Sequence, residues 1–364
     1  LVKVHCTYEK SIDTGQVRGI YKSVNKSWDK LWVVDKENGG KADALNAGLN
    51  LARNNLVLCI DVDCMLDNDA LVKMVKPFLE EDQRTIIASG GIIHIANSCK
   101  IEDGKIVKME VPKNIFARIQ VLEYLRAFLM GRMAWSKMDG LLIISGAFGL
   151  FRRDIILEVG GYNTATVGED MELIVRMRRH MIESKRPYQV TFIPDSLCWT
   201  ECPESTKILI RQRVRWTKGN METLWSHRKL LFNPKYKVLG LLSFPYWLLY
   251  EWLAPIVEFS GLLYLLYLYA IDSVYWYFYL SLSAFIFAFA VTFTTLTLFI
   301  EEITYNKYER KRDILKLVAA SFLEPLIFHP LIIYAAIKGN FQKLFNKKTT
   351  WGDMARKGFA TPPK

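Results

Sequence analysis

Two aspartates, Asp61 and Asp63, stand one residue apart directly after the apolar run Leu56–Ile60. On an extended segment residues two apart point to the same side, so both carboxylates would face one space. Hard oxygen ligands of that kind suit Mg²⁺ or Mn²⁺, which neutralise a nucleotide diphosphate; a loop capping a strand end would use the same residues with no metal. A second acidic pattern, Gly168-Glu169-Asp170, follows the turn-like Gly160-Gly161-Tyr162. Asp170 at a helix start serves either as an ordinary cap or as a general base taking a proton from a hydroxyl. The neighbouring Glu169 raises its proton affinity by like-charge repulsion, which favours the second use. The third pattern is Gln212-Arg213-Val214-Arg215-Trp216. Arg215 offers a bidentate fork to a departing diphosphate, and Trp216 offers a flat apolar face to a sugar. Gln212 and Arg215, three apart, share a helix face, whereas Arg213 lies off that face and carries no assigned role. A basic amphipathic helix lying on a membrane would read the same way.

These groups need a scaffold that brings three distant stretches together. Leu31–Val34 and Leu56–Ile60 read as strands, with the helical spacing of Ala42–Arg53 between them. Leu71–Glu80 reads as a helix and Thr85–Ile95 as a strand broken at Gly90-Gly91. Such alternation predicts an α/β fold on a mainly parallel sheet, where ligands bind beyond the carboxyl ends of strands. Farther along, Asn97–Lys113 is polar and loop-like, and Ile115–Ser136 is a long amphipathic helix. Glu169–His180 follows as a helix, Val190–Ile193 as a strand stopped by Pro194, and Thr206–Leu230 as one basic, aromatic helix.

Composition changes abruptly near Lys237. Val274–Ile300 holds 27 residues without a charge, more than the ~20 that cross a bilayer core. Leu239–Ala270 is interrupted by Pro245 and Pro255. Ile314–Ile337 carries Glu324, Pro325, His329 and Pro330 near its centre, where charge and lost backbone bonds are costly in lipid. It is therefore expected not to cross as a simple helix, with a re-entrant hairpin around Pro325 and Pro330. The formal charge is +11, and Lys338–Lys364 contributes seven basic residues against one acid. Basic residues beside apolar spans fit anionic lipid better than nucleic acid, so no nucleic-acid partner is expected. Six scattered cysteines form no C-x-x-C pair and are expected as free thiols. The chain opens inside a strand-like run without an initiator Met, as an N-terminally truncated piece would.

Taken together, the motifs resemble those of family 2 glycosyltransferases with a GT-A (Rossmann-like) fold, in particular the membrane-embedded synthases of cellulose, chitin, hyaluronan and poly-β-1,6-N-acetylglucosamine. Asp61 and Asp63 match the family's D-x-D, Gly168-Glu169-Asp170 its base motif, and Gln212, Arg215 and Trp216 its Q-x-x-R-W. Gly39–Asn46 is similar to the K-A-x-A-L-N segment, which would put Lys41 near the donor. Ser145-Gly146-Ala147 with Phe151-Arg152-Arg153 resembles the segment beside the acceptor sugar, and Trp351–Phe359 resembles the tail of the poly-N-acetylglucosamine-synthase-like members. Nothing in Leu1–Asp35 matches the family's first nucleotide-binding element.

The resemblance implies an inverting transfer from a nucleotide sugar, with a UDP-sugar as the expected donor, to a growing polysaccharide at the plasma membrane. Its implied site comprises Asp170 as base; Lys41, Asp61 and Arg215 on the donor; Gln212, Trp216, Ser145 and Gly146 on the glycan acceptor; and Asp61 with Asp63 on the metal. The expected organisation is a cytoplasmic catalytic domain over 1–238, a multi-pass region of two to three helices in membrane lipid over 239–337, and a basic tail over 338–364. A non-processive enzyme acting on a lipid-linked acceptor and a non-catalytic sugar-binding scaffold are the alternatives; no export subunit is identifiable.

Overall fold

A computed structural model describes residues 1–4, 10–102, 104–306, 308 and 310–345. The basic tail beyond Phe345, with Trp351–Phe359, lies outside them. Three short strands, β1 (Val2–Lys3), β2 (Val17–Lys22) and β3 (Trp32–Lys36), form a small antiparallel sheet. Helix α1 (Gly40–Leu51) leads to β4 (Leu56–Ile60), β5 (Cys64–Leu66), α2 (Ala70–Leu79) and β6 (Thr85–Ile95). The polar stretch after β6 folds into a hairpin, β7 (Lys100–Glu102) and β8 (Lys105–Lys108). Helix α3 (Ile115–Leu125) then runs through a π-helical segment into α4 (Met133–Lys137). Strand β9 (Phe148–Arg152), α5 (Arg153–Glu158), α6 (Glu169–Glu183), β10 (Tyr188–Thr200) and α7 (Thr206–Ser226) complete the domain.

The main sheet has the order β4-β9-β6-β10-β5. Strands β4, β6 and β10 run one way, as the alternating pattern predicts. Strands β9 and β5 run against them, so the sheet is mixed. β6 is buried along nearly its whole length, as a central strand covered on both faces must be. Its glycines do not break it, because pairing with β10 continues through Gly90 and Gly91. β10 likewise does not stop at Pro194: the register shifts there and pairing resumes to Thr200, as a bulge allows proline within a strand. Ile87, Ile92, Phe148, Ile155, Leu173 and Met177 form the core of this unit.

The apolar third continues the fold as helices. Leu239–Ala270 is helical, through a π turn, α8 (Phe244–Tyr246), a second π stretch and α9 (Ala254–Ala270). Helix α10 (Trp276–Tyr305) follows, and then α11 (Lys311–Leu323), joined by a π turn at Glu324–Phe328 to α12 (His329–Leu344). Among the described residues, Leu239–Ala270, Trp276–Tyr305 and Lys311–Leu344 are long and apolar enough to cross a membrane. Side chains from 254 to 290 are mostly exposed and apolar.

The expected hairpin at Pro325 and Pro330 is not formed; the helix passes through both prolines. The helix changes to π geometry over Glu324–Phe328, with Pro325 inside that turn and Pro330 two residues after its end. One stripe of this long helix is buried from end to end: Asp313, Leu317, Ala320, Glu324, Phe328, Ala336 and Asn340. Leu317, Ala320 and Phe328 pack with Leu122 and Leu125 of α3 and Leu209 of α7, and Gly339 near the other end seats on Thr217 and Val214 of α7. The opposite stripe, with Leu315, Phe322, Leu326, Tyr334, Phe341 and Leu344, is exposed.

Candidate functional site

The reversed strand β9 assembles the site. Its antiparallel pairing sets Phe148 beside Ile60, so the residues before β9 meet those after β4. The amide of Asp61 donates to the Ala147 carbonyl at 2.9 Å. Ser145 Oγ accepts from the Ala147 amide at 3.1 Å, which shapes this corner as a local side-chain turn.

Lys41, the second residue of α1, bridges the corner. Its Nζ donates to the Gly146 carbonyl at 2.7 Å and lies 2.6 Å from Asp61 Oδ1 and 3.9 Å from Glu169 Oε1. Helix α1 is held rigidly enough to aim it by polar residues at helical spacing. Asp43 pairs with Lys36 and accepts from the Gly15 amide. Asn46 exchanges two hydrogen bonds with the Tyr162 backbone, and Asn50 two with that of Ile12. All three are nearly fully buried, and a buried amide with both ends satisfied favours one arrangement over others. The D-x-x-N-x-x-x-N spacing was the signal available in the sequence for this anchoring.

Asp61–Asp63 is not extended. Cys64 donates its amide to the Asp61 carbonyl at 3.1 Å, closing a turn that leaves Val62 fully exposed. The same-side argument from strand periodicity therefore fails, and the turn sets the two carboxylates instead. Among the described residues no third His, Cys, Asp or Glu joins them in a metal-sized group. Two hard carboxylates beside an open edge still fit Mg²⁺ or Mn²⁺, because such ions take one or two carboxylates plus substrate phosphate and water.

Glu169 and Asp170 open α6. Glu169 is buried, and desolvation first, then the Asp170 charge, pushes its carboxyl up to about 7 against the pull of Lys41 and Arg215. Arg215 of the third motif thus acts on Glu169. Asp170 stands over Gly146: a Cβ added there would lie 2.5 Å from Asp170 Oδ2. At Gly168 the backbone meets that of Gly219 on α7, where a Cβ added to either would come within 2.7 Å of the other's Cα. This close approach, open only to glycine, draws the acidic pair and the α7 motif together. Arg132, which the sequence did not single out, also feels the charge of Asp170; desolvation lowers its pKa to about 10 while Tyr124, Asp170 and Glu251 pull it upward.

The third motif divides on its helix. Arg213 makes a bidentate pair with Glu123 at 2.6 Å on both arms, and its guanidinium stacks 4.1 Å from the Trp216 ring. It therefore ties α7 to α3 and backs the indole, a contact of ~0.5–2 kcal/mol. Trp216 remains 41% exposed. Gln212 is buried one turn earlier, and its amide oxygen has no hydrogen-bond partner among the described residues. The five described cysteines are free thiols; Cys6 lies outside the described residues.

A family model described as "Glycosyltransferase like family 2" matches residues 6–219, spanning the Asp61, Asp170 and Gln212–Trp216 motifs. The chain belongs to this family. Its mixed sheet with helical extension is the GT-A fold. The poly-beta-1,6-N-acetyl-D-glucosamine synthase of Staphylococcus aureus (strain COL) is 31% identical over 207 residues, which cover 56% of this chain and 44% of that one. The synthase of the same name from Staphylococcus epidermidis is 29% identical over 231 residues, covering 64% and 49%. The chain thus spans about half the length of the curated relatives it matches. A mannosyltransferase from Pyrobaculum calidifontis, solved with GDP-Man and Mn2+, superposes with a TM-score of 0.46 at 18% identity, covering 86% of this chain and 68% of that one.

Proposed function

We propose that this family 2 domain performs an inverting transfer of a sugar from a nucleotide sugar, a UDP-sugar by preference, onto a glycan hydroxyl at a membrane. The observation that carries the reading is the convergence of Lys41, Asp61, Gly146, Glu169 and Asp170 around one corner of the sheet. Lys41 and Arg215 supply fixed positive charge for the donor diphosphate, and Asp61 and Asp63 would hold a divalent cation. Such a cation, when bound, neutralises charge on the departing diphosphate. Asp170 takes the proton of the acceptor hydroxyl as it attacks the anomeric carbon, and a single displacement with one base inverts that centre. Ser145 and Gly146 border the acceptor from below, and Trp216, with Gln212, holds the glycan end by stacking.

Membranes holding the full-length protein, incubated with a panel of radiolabelled UDP-sugars, are expected to make a labelled polymer from one of them. Trp216→Ala should weaken acceptor capture and shorten that product while leaving donor binding in place. Transfer to single acceptors only would favour the non-processive alternative, and no transfer from any donor would remove the reading.

The long helix Lys311–Leu344 lies in the membrane surface and does not span it. Its buried stripe seats on α3 and α7 at both ends, and its other stripe is apolar and exposed; a helix of that form rests at the interface. Leu239–Ala270 and α10 are then the segments in lipid, with the catalytic domain cytoplasmic. Cysteines introduced at the exposed positions Asn306 and Lys338 are expected to be labelled from the same side of the bilayer; labelling from opposite sides would show a true span.

A further inference from the structure

Glu222 lies on α7 beyond Trp216 and divides its carboxylate between two elements. Oε2 accepts the Thr166 hydroxyl at 2.8 Å and the Val167 amide at 3.0 Å. The Thr166 oxygen accepts in turn from the Gly168 amide at 3.1 Å. Oε1 accepts from Lys343 Nζ at 2.5 Å, in the last turn of α12. Two residues of the same turn region fix that helix: Asn340 accepts from Trp252 Nε1 at 2.8 Å, and Gly339 sits against Thr217. A continuous set of contacts therefore runs from the first apolar helix at Trp252, through α12 and Glu222, to the residues immediately before Glu169 and Asp170.

The loop Thr166–Gly168 has few other means of holding its place. Thr166 and Val167 are only partly buried, and Gly168 meets Gly219 through backbone alone. Burial of Glu222 raises its pKa, but the bonds from Lys343, Val167 and Thr166 outweigh this and hold it below the ordinary carboxylate range. It is thus ionised at neutral pH and makes charge-assisted bonds on both sides.

We propose that Glu222 and Lys343 are positioning residues for Asp170: α12 clamps the Thr166–Gly168 loop onto α7 and so completes the site. This rests on the reading of Asp170 as the base. The clamp acts first on the geometry of the chemical step, because Lys41 and Asp61, where the donor would bind, are also held by their own direct pair and by the Gly146 carbonyl.

The test uses the full-length protein in membranes, with radiolabelled UDP-N-acetylglucosamine as the probe donor and amide hydrogen exchange over residues 163–170 measured on the same samples. Lys343→Met is expected to lower kcat about tenfold, since a displacement of about 1 Å can cost up to 10²-fold, with donor KM within about twofold. Exchange at the Val167 and Gly168 amides should rise in parallel, and Lys343→Arg should restore both. Glu222→Gln should show the same pattern more strongly; if it fails to fold, Lys343→Met with its arginine partner variant decides the matter. Unchanged exchange in Lys343→Met, a loss confined to KM, or no recovery with arginine would overturn the clamp. If the wild type transfers no sugar from this donor, the exchange data still judge the clamp while the loss falls on the functional reading.

Discussion

Asp170→Asn in the full-length enzyme is expected to lower sugar transfer by about 10²–10⁴-fold, the usual loss when a positioned general base is removed. The amide is nearly isosteric, so the contact over Gly146 and the start of α6 should persist, and melting should change little. Donor binding should also persist, because Lys41 and Asp61 lie on the other side of the corner and touch each other directly. The informative comparison is therefore between turnover and UDP affinity in one preparation. Glu169→Gln provides the contrast. Glu169 is the more buried acid and already holds its proton up to about pH 7, so replacing it by a neutral amide should cost less. Near-normal transfer by Asp170→Asn would withdraw its role.

Asp63→Asn is expected to reduce turnover on the order of 10²-fold, equivalent to ~3 kcal/mol of charge stabilisation lost from a metal site. Metal titration makes the argument specific. Wild-type membranes stripped by a chelator should regain activity on adding Mn²⁺ or Mg²⁺, whereas Asp63→Asn should need more metal and recover less. Asp61 is the less clean probe, because its carboxylate also pairs with Lys41 and its loss would leave that cation uncompensated. Full activity in stripped, metal-free membranes would dispose of the metal assignment for both aspartates.

Much of the site was legible from local patterns. Leu56–Ile60 reads as a strand from its apolar run, although it forms one edge of the main sheet with only Val57 buried, and two aspartates follow its end. Gly168-Glu169-Asp170 could be assigned to a helix start from its position before a 3.6-period run. The helix carrying Gln212, Arg215 and Trp216 was visible as a length of basic and aromatic residues without a breaker. The same local rules misled where the chain departed from regular periodicity. Strand periodicity predicts Asp61 and Asp63 extended, but a closed turn holds them. Pro325 and Pro330 signalled a reversal, but one helix passes through both, with π geometry over Glu324–Phe328. In each case a hydrogen bond or a packed neighbour overrode the preference of the isolated segment.

The order of the three motifs, the apolar helices and the α/β class were properties of the sequence alone, because strand and helix periods and hydrophobic runs are written residue by residue. Tertiary structure decided which of those groups meet. β9 runs antiparallel between β4 and β6, and that reversal, which no local signal marks, carries Ser145–Ala147 to Asp61 and Lys41 to the Gly146 carbonyl 105 residues away. Packing also separated Arg213 from Arg215: one faces Glu123 and the indole, the other acts on the acidic pair. Glu222 and Lys343 are ordinary charged residues in the sequence, and only the docking of α12 on α7 brings them together. Contacts between distant residues depend on the relative placement of whole elements, which periodicity and composition do not encode.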